Sequence, residues 1–588
     1  MKFHRHKLLL LLIVVLGALF RFYNLDKNGL WFDEIGTLSV AKESFPLGII
    51  DTLYHKDIHC PLFYFLLHFW IKLFGDYEFI LRFFSAIFGT ANIFIFYLIG
   101  KTIKSRGTGL ITAFLAAISP LLIYFSQEIR FYPLILLLMS LSLLFLIRFE
   151  RKPSIKNLLG LGVVNLGILY TYTIGLVFVF FQAVIYLGYM LIKLYKDKKP
   201  ENRVNIKNFV LTNVFCGLLF TPYLPMFFHH LAVSSNSFLN FFDWGRFTLF
   251  DIFVAVQNWF SPFTFVYKHD YTETYASFME IFGTYGFLIL FLFIVAIPAI
   301  IFISAIVKAV FRKKIMLVLF LIFAAFFSFE ILTAMNGRFI LHSKYTVLNL
   351  PIIIILSGYG LSEIKYRKPI LIYLTILFIL YLLIVPFSTP HISRTQVYSE
   401  VRSILNSYNL TEKDIVVINH GTRYVKDYFS GQTSIVFPLD LEYTYFYRDL
   451  NSLEKIFAKS FIKSVSKQNA REKFKSFLIM EKPPKKFRNY IENDLIAKLP
   501  DGAKLAIYIN RMTAKYDRQE LKKITSSPEN YQVKSLARML ISKSSNDILT
   551  ISKENLTLVD SQKHPHWEVY LFRKNSDYPA DIAFIQIA

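Results

Sequence analysis

The sequence predicts a mostly α-helical, polytopic membrane protein: a bundle of about eleven transmembrane helices in residues 1–390, then a soluble α/β domain in residues 391–588. Apolar runs close to the roughly 20 residues that cross a bilayer recur from Leu8 to Pro386. Hydrophobic residues make up 54% of the 588, and the mean hydropathy of +0.44 is more than soluble cores of this size absorb. The net charge of +24 is concentrated in short links between apolar runs. These links are Lys101-Lys104-Arg106, Arg148-Arg151-Lys152-Lys156, Lys196-Lys198-Lys199-Arg203-Lys207, Arg312-Lys313-Lys314 and Lys365-Arg367-Lys368. That is the positive-inside pattern of membrane insertion rather than a nucleic-acid footprint, so no nucleic-acid partner is expected.

The first apolar run, Leu8 to Phe20, follows Lys2, Arg5 and Lys7 and has no small-residue cleavage site after it, which predicts an uncleaved signal anchor over 7–23. Further spans are expected at 79–103, 107–126, 131–149, 156–173, 174–195, 206–228, 278–311, 314–334, 340–360 and 368–387. The apolar segment 61–74 is short and opens with Pro61, as expected of a helix lying along the interface.

With the N-terminus inside, every basic cluster falls on the cytoplasmic side. The loops 24–78 and 229–277, the links 127–130 and 335–339, and everything after 387 then fall outside. Parity thus puts Asp33, Glu34, Glu128, Arg130, Arg338 and Lys344 at one membrane face. No charged residue is expected at a bilayer midplane, where ion-coupled transporters commonly carry them.

After about residue 390 the apolar runs shorten. DIVVINH (414–420), SFLIM (476–480), KLAIYIN (504–510) and HWEVYLF (566–572) read as strands, and 423–429 and 452–467 as helices. The only cysteines, Cys60 and Cys216, make neither a cysteine-rich zinc site nor a disulfide framework.

Four polar clusters could carry chemistry. Trp31-Phe32-Asp33-Glu34 sets two carboxylates beside a span; mutual repulsion suits one of them to a base, and the alternative is a helix start capped by acids. His59-Cys60-Pro61 closes the same loop, with His59 either a phosphate or metal contact or a plain loop histidine. Arg82 follows near the outer end of the next span, either at the site or snorkelling to headgroups. Glu128 and Arg130 occupy a very short hairpin, as catalytic groups or as the polar residues of a tight turn. Lys344, followed by Tyr345, lies just inside a span, where either a bound phosphate or snorkelling satisfies it. The loop 229–277 holds Phe241, Phe242, Trp244, Phe247, Phe250, Phe253, Trp259, Phe260, Phe263 and Phe265, an interfacial aromatic belt or a lid.

In this order the clusters resemble the multispanning glycosyltransferases of the GT-C fold. They come nearest to the bacterial and archaeal branch of glycosyltransferase family 39, akin to protein O-mannosyltransferases and lipid A aminoarabinose transferases. The matching text is RFYNLDKNGLWFDEIGTLSVAKES, HCPLFYFLLHFWIKLFGDYEFILRFFSAIFG, SPLLIYFSQEIRFYPLILL and HSKYTVLNLPIIIILSGYGL. The resemblance implies a polyprenyl-phosphate sugar donor, a lipid, glycan or protein acceptor, inversion at the anomeric carbon, and the plasma membrane of a prokaryote. It implies Asp33 as the base, with Glu34 beside it, and Glu128 as the acid of the second outer loop. The family's late Arg-Tyr pair, associated with donor phosphate, maps onto Lys344 and Tyr345, while Arg130, His59 and Arg82 are donor-phosphate candidates from their own placement. Where many members read His-Pro-Pro this chain has His59-Cys60-Pro61, and Lys344 stands where many have arginine, losing the bidentate fork. No cofactor is required, and a divalent cation held by carboxylates and phosphate is compatible. Two alternatives remain: a lipid-linked sugar flippase or transporter, and an oligosaccharide transferase of the same fold.

Overall fold

The computed structural model describes residues 2–26, 30, 32–56, 59–236, 249–260, 292–335, 341 and 343–388. Beyond these it describes 407, 415–418, 434–436, 492, 496–497, 499–501, 503–510, 549–564 and 567–574. The chain clusters into two units. One comprises Met1–Lys27, Val40–Leu231 and Trp244–Pro390; the other comprises Asn28–Ser39, Ala232–Asp243 and His391–Ala588.

The described helices, in chain order, are α1 (Lys2–Phe22), α2 (Phe32–Lys42), α3 (Leu47–Lys56), α4 (Leu62–Phe74), α5 (Glu78–Ile103), α6 (Arg106–Ile118), α7 (Pro120–Ser126), α8 (Tyr132–Arg151), α9 (Ile155–Thr171), α10 (Gly175–Lys196), α11 (Pro200–Phe220), α12 (Leu224–Asn236) and α13 (Leu249–Phe260). They continue with α14 (Ile297–Arg312), α15 (Lys314–Met335), the single turn α16 (Ser343–Thr346), α17 (Leu350–Ser362) and α18 (Arg367–Ser388). Six described stretches are long and apolar enough to cross a membrane, seven if the bent pair α6–α7 is one span. The eleven expected from sequence also count α1, α9, α18 and the run 278–311, of which residues 292–311 are described.

Local chemistry sets the boundaries. Ser105 and Ser154 cap α6 and α9 by accepting from the backbone N–H of Thr108 (3.2 Å) and Asn157 (3.3 Å). Basic residues close α8 (Arg148, Arg151) and α10 (Lys193, Lys196), where the helix dipole favours cations. Pro120 forces Ser119 into an extended conformation, so α6 ends and α7 leaves it at 60°. The break frees carbonyls at the end of α6. Arg21, 1% exposed on α1, serves them: Nη2 donates to Ala116 O (2.9 Å), and Nη1 to Ala117 O (3.2 Å) and Gly17 O (2.9 Å).

Two further devices hold the bundle. Ser142, Asn165 and Gln182, one from each of α8, α9 and α10, hydrogen-bond one another at 2.6–3.1 Å in a buried triad. At Gly360 of α17 the backbone of α14 comes so close that a Cβ would lie 1.9 Å from Ala305 O. Val163, Phe180 and Phe215 remain exposed, as expected of side chains facing lipid tails.

The second unit contains a five-stranded mixed sheet in the order β2-β1-β3-β5-β4, with β1 (Ile415–Ile418), β2 (Ser434–Val436), β3 (Lys504–Asn510), β4 (Thr557–His564) and β5 (Trp567–Arg573). Strand β1 pairs in parallel with β2 and β3, while β5 pairs antiparallel with β3 and β4. On β3, Leu505 and Ile507 are buried with the two-residue period of a half-buried strand. Three of the expected strands are β1, β3 and β5. The strand at 476–480 and the helices at 423–429 and 452–467 lie outside the described residues. The edge strands β2 and β4 escaped sequence reading because one is three residues long and the other, TLVDSQKH, is largely polar.

Candidate active site

The link between α7 and α8 forms the centre of the site in the first unit. It is pinned at both ends. Gln127 Nε2 donates to Phe20 O (2.9 Å) and Tyr23 O (3.1 Å), closing the C-terminus of α1. Ser85 of α5 donates to Arg130 O at 3.5 Å, and the Arg130 N–H turns back to Glu128 O at 2.8 Å. Glu128 and Arg130 are consequently buried, at 7% and 5% exposure, rather than wetting a surface turn.

The Arg130 guanidinium sits in an aromatic corner. Its carbon lies 5.1 Å from the centroid of Phe131, and Nη2 is 3.1 Å from His59 Nε2. The His59 ring packs against Phe131 (5.0 Å) and stacks on Tyr172 (6.3 Å), and Phe131 meets Tyr172 at 4.4 Å. His59 is held because the next residue is an anchor. Cys60 is fully buried, its Sγ 3.6 Å from Thr173 Oγ1 in the link between α9 and α10. Burial pushes the Cys60 thiol up to about 11, so it is neither a nucleophile nor a ready metal ligand at neutral pH.

Arg82 is 4% exposed, with Nη1 donating to Leu25 O at 2.7 Å. It therefore does not snorkel; it ties α5 to the turn that follows α1, where Asn24 adopts the left-handed conformation.

Lys344 and Tyr345 lie half-buried on α16, which runs through a 3₁₀ turn (Val347–Asn349) into α17. Trp259 of α13 donates from Nε1 to Thr346 O at 2.9 Å while its ring packs on Phe327 (4.8 Å) and Phe323 (5.7 Å). Trp259 is thus buried and bonded, neither a belt residue nor an exposed lid residue. Phe241, Phe242, Trp244, Phe247, Phe263 and Phe265 lie outside the described residues, as do Trp31 and Arg338. Tyr172 lies within electrostatic range of both Arg130 and Tyr345, which relates the hairpin to the α16 turn.

In the second unit, Asp33 and Glu34 occupy the first turn of α2, where acids suit the helix dipole. Glu34 is fully buried and Asp33 half-buried, and Thr37 Oγ1 donates to the Asp33 carbonyl at 2.8 Å. Asp33, Glu34, Glu128, Arg130, Lys344 and Tyr345 each engage at least one neighbour. Among the described residues no group of three or more His, Cys, Asp or Glu is placed to hold a metal. Sequence reading missed Tyr172 and singled out Trp259 only as one of many aromatics. Tyr172 follows an apolar run without any motif around it, so only the fold reveals it.

A family profile described as "Dolichyl-phosphate-mannose-protein mannosyltransferase" matches residues 58–224, the stretch holding His59, Arg82, Glu128 and Arg130. The apo structure of ArnT from Cupriavidus metallidurans aligns with 95% of this chain and 97% of that one, at 11% identity and a TM-score of 0.50. The structure of the same protein bound to undecaprenyl phosphate aligns over the same shares at 10% identity and a TM-score of 0.48. The S. cerevisiae Pmt1–Pmt2 complex bound to the sugar donor aligns at 20% identity and a TM-score of 0.32, over 38% of this chain and 34% of that chain. The chain therefore spans about a third of that relative's length. No curated protein is a sequence match. The fold is GT-C, that of the multispanning membrane glycosyltransferases the chain is similar to. Within that class the chain is similar to protein O-mannosyltransferases and to ArnT.

Proposed function

We propose that this protein transfers a single sugar from a polyprenyl phosphate to a hydroxyl of a lipid, glycan or protein acceptor on the extracytoplasmic face, with inversion. Asp33 takes the acceptor proton as the hydroxyl oxygen attacks the anomeric carbon, with Glu34 and Glu128 as supporting acids. The sugar–phosphate bond breaks as the new bond forms, and the lipid phosphate departs with its charge. A phosphate monoester has a second pKa of about 6, so departure needs cations more than a proton. Arg130 and Lys344 supply them, Tyr345 adds a hydroxyl, and Arg82 and His59 hold the outer ends in register.

The observation that carries this reading is the buried corner around Arg130, a guanidinium set against His59 and Phe131 within reach of Tyr172. A desolvated cation fixed by an imidazole and aromatic faces binds an anion far better than a hydrated one. ArnT from Cupriavidus metallidurans has been seen bound to undecaprenyl phosphate, a ligand of that chemistry. Incubating purified protein with a panel of polyprenyl-phosphate sugars tests the proposal. One donor should be consumed with release of polyprenyl phosphate, and consumption of none across hexose and pentose donors with lipid, glycan and peptide acceptors would reject it.

A further inference from the structure

Between Ile315 and Met335 the mostly apolar helix α15 carries one ionisable residue, Glu330, which lies near its outer end and is fully buried. A carboxyl in such a place is costly and needs a reason. Its partner is Asn349, 1% exposed, whose Nδ2 donates to Glu330 Oε2 at 2.8 Å and also reaches Thr346 O at 3.3 Å. Trp259 reaches that same carbonyl from α13 at 2.9 Å. The turn that presents Lys344 and Tyr345 is thereby held at Thr346 and Asn349 by side chains from two different helices.

The joint is polar beyond what folding requires. Glu330 Oε1, Thr346 Oγ1 and Asn349 Oδ1 are buried and make no hydrogen bond among the described residues. A partly satisfied polar cluster is worse for stability than well-packed apolar side chains. Leucine and valine at these positions would fill the space without that penalty, so a purely structural role is a poor explanation for the set.

We propose that Glu330 and Asn349 are positioning residues that fix the α16 turn so that Lys344 and Tyr345 meet the phosphate of the lipid donor. This rests on Lys344 being a phosphate ligand, as set out above. Neither residue touches substrate; each acts through the turn.

The test is equilibrium binding of undecaprenyl phosphate to purified full-length protein, scored per folded molecule. Lys344→Ala serves as the reference for the phosphate contact. Glu330→Leu and Asn349→Ala should each weaken binding by about tenfold, the cost of one lost buried hydrogen bond passed on to the ligand. The double variant should be within twofold of either single, because one joint is broken only once. Glu330→Gln keeps an acceptor for Asn349 and should bind within twofold of wild type, a rescue that depends on the hydrogen bond and not on the charge. Asn349→Ala leaves α15 untouched and decides the matter by itself if Glu330→Leu does not accumulate. Wild-type affinity in Asn349→Ala, alongside a clear loss in Lys344→Ala, would overturn the positioning role while leaving the phosphate contact standing. Wild-type affinity in Lys344→Ala would remove the phosphate contact itself, and the positioning role with it.

Discussion

Arg130 donates from Nη2 to His59 Nε2 across 3.1 Å. A guanidinium has no acceptor, so in this contact the imidazole Nε2 is the accepting atom. The histidine therefore orients the cation rather than adding a second one. His59→Ala should lower kcat/KM by about 10- to 100-fold, the range expected when a charged group loses its positioning partner. His59→Gln, whose carbonyl oxygen can accept the same hydrogen bond, should keep most of the activity. Steady-state kinetics on the two variants distinguish orientation from general acid–base work, because glutamine cannot carry a proton.

Arg21 should be a stability residue. Arg21→Met removes the donors to Ala116 O and Ala117 O at the α6–α7 break, in a place without bulk water. The expected loss is about 2–4 kcal/mol, from unsatisfied carbonyls each costing roughly 1–3 kcal/mol with partial relaxation. A clear fall in thermal midpoint in detergent, with kcat/KM per folded molecule retained, is the predicted outcome.

Two glycines give a paired packing test. At Gly360 an added Cβ would meet Ala305 O at 1.9 Å, so α14 and α17 must separate. Gly360→Ala should destabilise by about 2 kcal/mol or more. Gly188, mid-helix on α10, has nothing within 4 Å of the same position. Gly188→Ala should be neutral or stabilise by up to about 1 kcal/mol through helix propensity. Thermal unfolding of both variants gives the comparison.

Cys60 should resist alkylation in the native protein. Its thiol is raised from 9.0 to about 11 by burial. A raised pKa means the folded state favours the proton, so the stabilising effect is present below pH 9 and lost as pH climbs towards 11. At pH 8 roughly one molecule in a thousand carries the thiolate, and that sulfur is inaccessible. Mass spectrometry after iodoacetamide treatment should show Cys60 unmodified until the protein is denatured.

Much of the helical architecture was legible because membrane spans write themselves as long apolar runs with basic links. Glu128 and Arg130 were legible as polar residues of a very short hairpin, either catalytic groups or the polar residues of a tight turn. What the sequence concealed was arrangement. The aromatic run around Trp259 reads as an interfacial belt or a lid, yet that indole is buried and bonded to Thr346, a contact between residues 87 positions apart. Arg82 reads as either a site residue or a snorkelling side chain, and a backbone carbonyl at Leu25 holds it inside. Tyr172 carries no pattern at all. In each case the deciding partner is distant in sequence, and periodicity reports only which face is apolar, not what meets it.

The most direct measurement is turnover of a labelled polyprenyl-phosphate sugar by Asp33→Asn protein in reconstituted vesicles, beside wild type inserted to the same level. Wild type should convert the donor into a glycosylated acceptor and free polyprenyl phosphate, and the variant should make no product. Normal turnover by the variant, or donor crossing the bilayer unchanged with wild type, would contradict transfer driven by an acid at residue 33.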